Sequence, residues 1–164
     1  MSAQRPGPPP RTGFLLSQLG TYSTSRFAEL VRPLGLTPAA AGVLRLIARS
    51  PGLSQRELAD RLGAVPSRVV VLVDALERAG LVVRERRPDD RRNYRLQPTD
   101  DGRAAMRELR EAAERQTADI VAPLDESERA QLAALLAKLA EAHRLDADVH
   151  TGYAQDASTD QSDS

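Results

Sequence analysis

One stretch, residues 54–99, leaves this chain few folds to choose from. It reads SQRELADRLGAVPSRVVVLVDALERAGLVVRERRPDDRRNYRLQPT. Ser54-Gln-Arg-Glu57 is a capping box, in which a hydroxyl and a carboxylate satisfy each other's backbone donors and start a helix. That helix is short, turns Leu58 and Leu62 inward, and stops at Gly63. After a tight turn over residues 63–65, Pro66 opens a second helix that runs to Ala79 and ends at Gly80. Two extended segments follow, residues 81–86 and 93–97, too close together for anything but a hairpin. Helix, turn, helix and arginine-rich hairpin make a helix-turn-helix with a β-wing. In that shape one helix enters a DNA groove and the ribbon reaches the next.

The rest of the chain supports it in order. Residues 1–11 hold four prolines and a glycine and are expected to be a disordered arm. A first helix is expected over residues 12–32, with Leu15, Leu16, Leu19, Tyr22, Phe27, Leu30 and Val31 on a broad apolar face and Pro33 as its stop. Gly20 and the Thr-Tyr-Ser-Thr-Ser run after it are poor helix formers, so a kink or softening is expected near Thr21. Thr37-Pro38 caps a second helix through Val43, Leu44, Leu46 and Ile47. Beyond the hairpin, Thr99 caps a long helix to about Ala122, with Asp100 and Asp101 at its positive pole. Met106, Leu109, Ala113 and Ile120 share one side of it. Asp125-Glu-Ser-Glu128 is a second capping box, starting a helix with Leu132, Leu135, Leu136 and Leu139 as its stripe.

The expected fold class is mainly α with a small β-hairpin wing. The expected organisation is a disordered arm (1–11), an N-terminal dimerisation helix (12–36) and a winged helix-turn-helix DNA-binding domain (37–98). C-terminal dimerisation helices (99–144) and a disordered acidic tail (145–164) complete it. The terminal helices carry more apolar surface than a reader domain needs, and a symmetry mate is the simplest cover for it. A homodimer built from the first, fifth and sixth helices is therefore expected.

Charge is distributed, not excessive. The 164 residues carry 23 basic and 23 acidic side chains, but five of the aspartates lie in the last twenty residues, where there is no Lys or Arg. Between Arg84 and Arg95 six arginines face three acids. A neutral chain with one basic stripe suits local phosphate contact better than general coating. The absence of cysteine excludes disulfides, thiolate metal sites and thiol switches. With two histidines and no cysteine, no metal site is expected, and no cofactor. No apolar run has membrane-spanning length and the N-terminus lacks a signal-peptide core, so a cytoplasmic protein is expected. The sequence offers no cysteine nucleophile, glycine-rich phosphate loop or His–carboxylate cluster, and an enzyme is not expected.

Within the reader, placing Val69, Leu72, Val73 and Leu76 on the core leaves Ser67, Val71, Asp74 and Arg78 facing outward, with Arg68 and Val70 on the flanks. Arg68 has the chemistry to pair with a guanine edge or a phosphate. Val70 and Val71 are open to two readings, ordinary surface valines or apolar contacts to thymine methyl groups. The hairpin tip Pro88-Asp-Asp-Arg-Arg92 is a solvated charged turn or, after a helix-turn-helix, an arginine probe for a narrow minor groove.

These motifs together resemble the MarR family of transcription regulators over about residues 13–140. The matching segments are Leu34-Gly-Leu-Thr-Pro38, Leu53-Ser-Gln-Arg-Glu-Leu-Ala59 and Leu-Val-Asp-Ala-Leu-Glu-Arg-Ala-Gly-Leu-Val at 72–82. Asp90-Arg91-Arg92, Thr99 and Gly102 complete them. The resemblance implies winged-helix homodimers that bind double-stranded DNA at pseudo-palindromic operators, usually as repressors. It implies that Arg92 enters the minor groove beside Arg91 with Asp90 as its ion-pair partner. It places Ser67, Arg68, Val70 and Val71 against the major groove, and Ser54 and Gln55 near phosphate. It further implies release by a small aromatic or acidic effector, in a pocket for which Tyr22, Arg26, Ala41, Arg45 and Met106 are the candidates. Each of these five also reads as ordinary core or solvated surface. The chain departs from the pattern at Val65, where a capping Ser or Thr is usual, and at Val70 and Val71, often polar or basic. Ala41 replaces a frequent aromatic, which is expected to open the pocket, and Pro98 replaces a leucine at a strand end. The alternative to the DNA reading is a winged-helix protein-interaction module without specific DNA binding.

Overall fold

The computed structural model describes residues 11–86 and 94–145. The expected N-terminal arm, wing tip and acidic tail fall outside them, apart from Arg11 and Leu145. Six α-helices and one hairpin follow in the order α1 (Thr12–Val31), α2 (Pro38–Arg49), α3 (Gln55–Leu62), α4 (Pro66–Arg78), β1 (Val82–Arg86), β2 (Tyr94–Pro98), α5 (Asp100–Val121) and α6 (Glu126–Ala142). A 3-10 turn, Arg32–Leu34, carries Pro33 between α1 and α2.

Local chemistry sets the helix boundaries. Thr37 Oγ1 accepts the Ala40 N–H at 3.1 Å. Ser54 and Glu57 close their capping box, and Asp125 and Glu128 close theirs. Gly63 takes φ +58°, a left-handed value that glycine adopts without the Cβ penalty, and the chain reverses into α4 there. The end of α4 is a Schellman motif: the Gly80 N–H donates to Glu77 O and the Leu81 N–H to Leu76 O, both at 2.9 Å.

The core centres on α2, whose Val43, Leu44 and Ile47 have no exposed surface. Leu58 of α3, Val69 and Val73 of α4, and Leu96 of β2 close around them. Fully burying side chains of this size contributes about 1.5–3 kcal/mol each. The helical stretch Thr12–Leu34 bends 74° from α2. No single helix among the described residues is long and apolar enough to cross a membrane.

The hairpin is antiparallel, with Val82 opposite Pro98 and Arg86 opposite Tyr94. Its strands sit one residue later at the start of β1 and at both ends of β2 than the sequence suggests. Pro98 ends β2, where its missing N–H costs least. The far edge of β2 is also occupied. Gly52 N–H donates to Leu96 O at 2.9 Å and Leu96 N–H donates to Leu53 O at 2.8 Å, so the α2–α3 loop covers the outer edge of this two-stranded sheet.

α1 runs as helix without interruption through the stretch near Thr21 where a kink or softening is expected. The Thr24 hydroxyl donates to Gly20 O at 3.0 Å, sharing the carbonyl that the helix's own i−4 hydrogen bond uses. From α5, Gln116 Nε2 reaches the carbonyl and hydroxyl of Ser23 at 2.6 and 2.8 Å, tying the weak segment down.

The terminal helices leave apolar surface uncovered. Phe14, Leu15, Leu16 and Leu19 of α1 are all exposed, as are Leu135, Leu136 and Leu139 of α6. No residue of α6 is buried.

Candidate nucleic-acid interface

α4 presents two faces with different chemistry. Val69, Val73 and Leu76 are buried, and Leu72 packs half-buried against the same core. Facing away are Ser67, which is exposed, Val71 at 63% exposure and Val70 at 40%. Arg68 is half-buried and already has an interaction partner within the chain. Val65 is the N-cap and makes no side-chain cap hydrogen bond. The hydroxyl missing at that position therefore leaves the first turn without a side-chain acceptor.

Asp74 is assigned to the outward face by helical spacing, yet it is not a free surface acid. Arg84 of β1, with a side chain only 17% exposed, forms an ion pair with Asp74 through one terminal nitrogen and with Glu77 through the other. The guanidinium fork suits two carboxylates one turn apart on a helix. This clamp does two things. It fixes the first wing strand against the reader helix, and it neutralises the two carboxylates nearest the outward face. Arg84 is absent from the residues singled out by sequence. The available signal was the pair of acids at i and i+3 followed by an arginine on the adjoining strand.

At the open end of the hairpin the Arg86 guanidinium lies 6.0 Å from the Tyr94 ring centroid, a cation–π contact across the last described base of the wing. Asp90, Arg91 and Arg92 lie outside the described residues.

α5 is joined to the reader without clearance. Thr99 Oγ1 accepts the Gly102 N–H at 2.9 Å and donates to Gly80 O at 2.6 Å. The Thr99 N–H donates to Leu81 O at 3.0 Å. A Cβ on Gly102 would lie 2.0 Å from Leu81 O, so only glycine fits. The Thr-x-x-Gly spacing is thus the joint between the end of α4 and the start of α5.

The side chains expected near phosphate are turned to other work. The Ser54 hydroxyl donates to Glu57 Oε2 at 2.8 Å and accepts the Glu57 N–H at 3.2 Å. Gln55 Nε2 is buried with no hydrogen-bond partner among the described residues. As placed, neither side chain offers its donor to the solvent; Gln55 would have to swing outward to meet a phosphate oxygen.

The expected effector residues are dispersed in character. Tyr22 is exposed on α1. Arg26 already faces acids, pairing with Glu29 and lying 3.8 Å from Asp119 of α5. Arg45 is half-buried with a partner of its own, and Met106 packs partly buried on the core. Ala41 is 2% exposed and belongs to the core cluster. Two shallow concavities, of about 550 and 420 Å³, lie on α1 around Gly20 and on α5 around Glu114, and none of the five candidates lines either one. The small side chain at Ala41 does not open onto these concavities.

Comparison with known proteins gives a consistent answer. A MarR family model matches residues 34–93. A putative transcriptional regulatory protein for the hcr operon of Thauera aromatica is 42% identical over 128 residues, 77% of each chain. The transcriptional repressor CouR, solved bound to a 23-mer DNA duplex, is 36% identical with a TM-score of 0.68, over 79% of this chain and 92% of that one. The Mycobacterium tuberculosis MarR family protein Rv2887, solved with p-aminosalicylic acid, is 28% identical with a TM-score of 0.65, over 78% and 97% of the two chains. The exposed face of α4, the hairpin pinned beside it and the Thr99–Gly102 joint are therefore those of a winged-helix transcription regulator, and the chain belongs to the MarR family.

Proposed function

We propose that this protein is a homodimeric, sequence-specific DNA-binding regulator, acting as a repressor at a pseudo-palindromic operator and released by a small-molecule effector. The observation that carries the reading is the outward face of α4, which the core does not use, held beside a clamped wing strand. Ser67, Arg68, Val70 and Val71 meet base edges in the major groove. Arg92, with Arg91 beside it and Asp90 as partner, enters the adjacent minor groove. Ser54 and Gln55 approach the phosphate backbone at the start of α3, Gln55 after turning outward.

The exposed leucines of α1 and α6 support the dimer, with residues 12–36 and 99–144 forming the joint surface. Two recognition helices related by a two-fold axis meet successive major-groove faces roughly 34–36 Å apart. Repression is supported by CouR, a repressor bound to DNA in its solved structure. Release by an effector is supported by Rv2887 with p-aminosalicylic acid, a small aromatic acid. For this chain Tyr22, Arg26, Ala41, Arg45 and Met106 are the proposed surroundings of such a ligand. Binding there requires Arg26 to exchange its acidic partners for the effector.

Titration of the full chain against operator-length duplexes over a range of salt tests the reading. Affinity is expected to fall steeply with salt, with a slope set by the phosphates contacted. Arg92→Ala is expected to weaken binding on all sequences, and Arg68→Ala to change base preference by about 1–3 kcal/mol at one position. Absence of any salt-dependent binding would leave the winged helix as a protein-interaction module instead.

A further inference from the structure

We propose that Val70 and Val71 select thymine at their positions of the operator by packing against its 5-methyl group in the major groove. The proposal rests on the DNA-binding reading above and specifies what one part of the face reads.

Three observations lead to it. First, both side chains stand out from the face of α4 that the core does not use, Val71 at 63% and Val70 at 40% exposure. A valine has one side-chain rotation to lose on contact and no polar atom, so it is a rigid apolar knob. Second, the surrounding charge favours a polyanion. The first turn of α4 contains no acid and forms the positive pole of the helix dipole. The next acids along the helix, Asp74 and Glu77, are held by Arg84. The valines can therefore approach DNA without bringing unpaired carboxylates with them. Third, the chemistry of base edges leaves one favourable partner. Against guanine, cytosine or adenine in the major groove, a valine covers donors or acceptors that it cannot satisfy. Thymine alone offers a methyl group there. The valines thus discriminate by apolar contact to the right base and by dehydration of the wrong ones.

Deoxyuridine isolates this contact, because it removes the 5-methyl and keeps every hydrogen-bonding group of thymine. Duplexes are first selected from a random library by the wild-type protein, and their affinity is measured by fluorescence anisotropy at fixed salt. Each thymine of the selected site is then replaced singly by deoxyuridine, and the series is repeated with Val70→Ala and Val71→Ala. One or two replacements per half-site are expected to weaken wild-type binding about fourfold, the effect of one buried methyl-sized group. Each alanine variant is expected to bind the thymine duplex more weakly and to lose the uracil penalty at its own position. Both variants change exposed residues, and circular dichroism confirms that they fold. Uniform tolerance of uracil, or a penalty unchanged in both variants, overturns the proposal while leaving DNA binding intact. If no duplex is enriched and no salt-dependent binding is seen, the DNA-binding reading fails first, before any thymine is replaced.

Discussion

At the scale of single residues, the least replaceable side chain is one with no atoms. Gly102 sits where a Cβ would overlap Leu81 O at 2.0 Å, and the obstacle is backbone, which cannot rotate away. Gly102→Ala is expected to lower stability by about 1–3 kcal/mol in urea denaturation, despite the better helix propensity of alanine. Wild-type stability in this variant would mean that the joint between α4 and α5 opens without cost. The glycine itself was legible as part of the Thr-x-x-Gly spacing, but its reason was not. The group it avoids belongs to Leu81, on the other side of the hairpin, and no local pattern names it. Ser54, Thr37 and Asp125 are the opposite case. Their capping partners lie three residues away, so sequence spacing alone predicts the contacts that form.

At the scale of elements, α4 carries a local weakness and a distant support. Val65 gives its N-terminus no side-chain acceptor, so Val65→Thr is expected to stabilise the protein by about 1 kcal/mol in thermal or chemical denaturation. No gain would show that the first turn is already satisfied by other means. The support is Arg84, whose two ion pairs bind β1 to α4. Arg84→Met is expected to cost only about 1 kcal/mol of stability, because Asp74 and Glu77 are close enough to the surface to regain water. DNA affinity is expected to fall by more than that loss accounts for, since wing and helix would no longer share one orientation. Denaturation and binding measured on the same preparation separate the two effects. The clamp was hard to read in advance because it joins a helix to a strand across the turn between them. Helical spacing correctly put Asp74 outside the core and could not say that a strand would come to meet it. The same limit applies to Ala41: the small residue was visible, but its place in the buried core depends on packing between elements that local spacing does not show.

At the scale of the whole molecule, the described chain leaves its ends unfinished. An α6 with no buried residue and an α1 with Phe14, Leu15, Leu16, Leu19 and Tyr22 exposed lack cover within one copy. Leu139→Asp is expected to convert a dimer into a monomer in analytical ultracentrifugation while the reader keeps its helical signal. A wild-type protein that sediments as a monomer at micromolar concentration would remove the two-fold geometry proposed for the operator. The apolar stripes were readable from periodicity, and so was their excess over the needs of one domain. The identity of their cover was not, since periodicity shows a face and never its occupant.

The joint at Thr99 and Gly102 also has a mechanical meaning. With the start of α5 seated on Leu81 and hydrogen-bonded to Gly80, helix and reader have no slack between them. α5 spans 22 residues, about 33 Å of rigid rod. A tilt of about 10° pivoting at its far end would carry the reader sideways by about 6 Å, more than the rise of one base pair. Whatever grips the C-terminal half of α5 therefore acts on the short arm of a lever, and a small stroke there is magnified at the DNA.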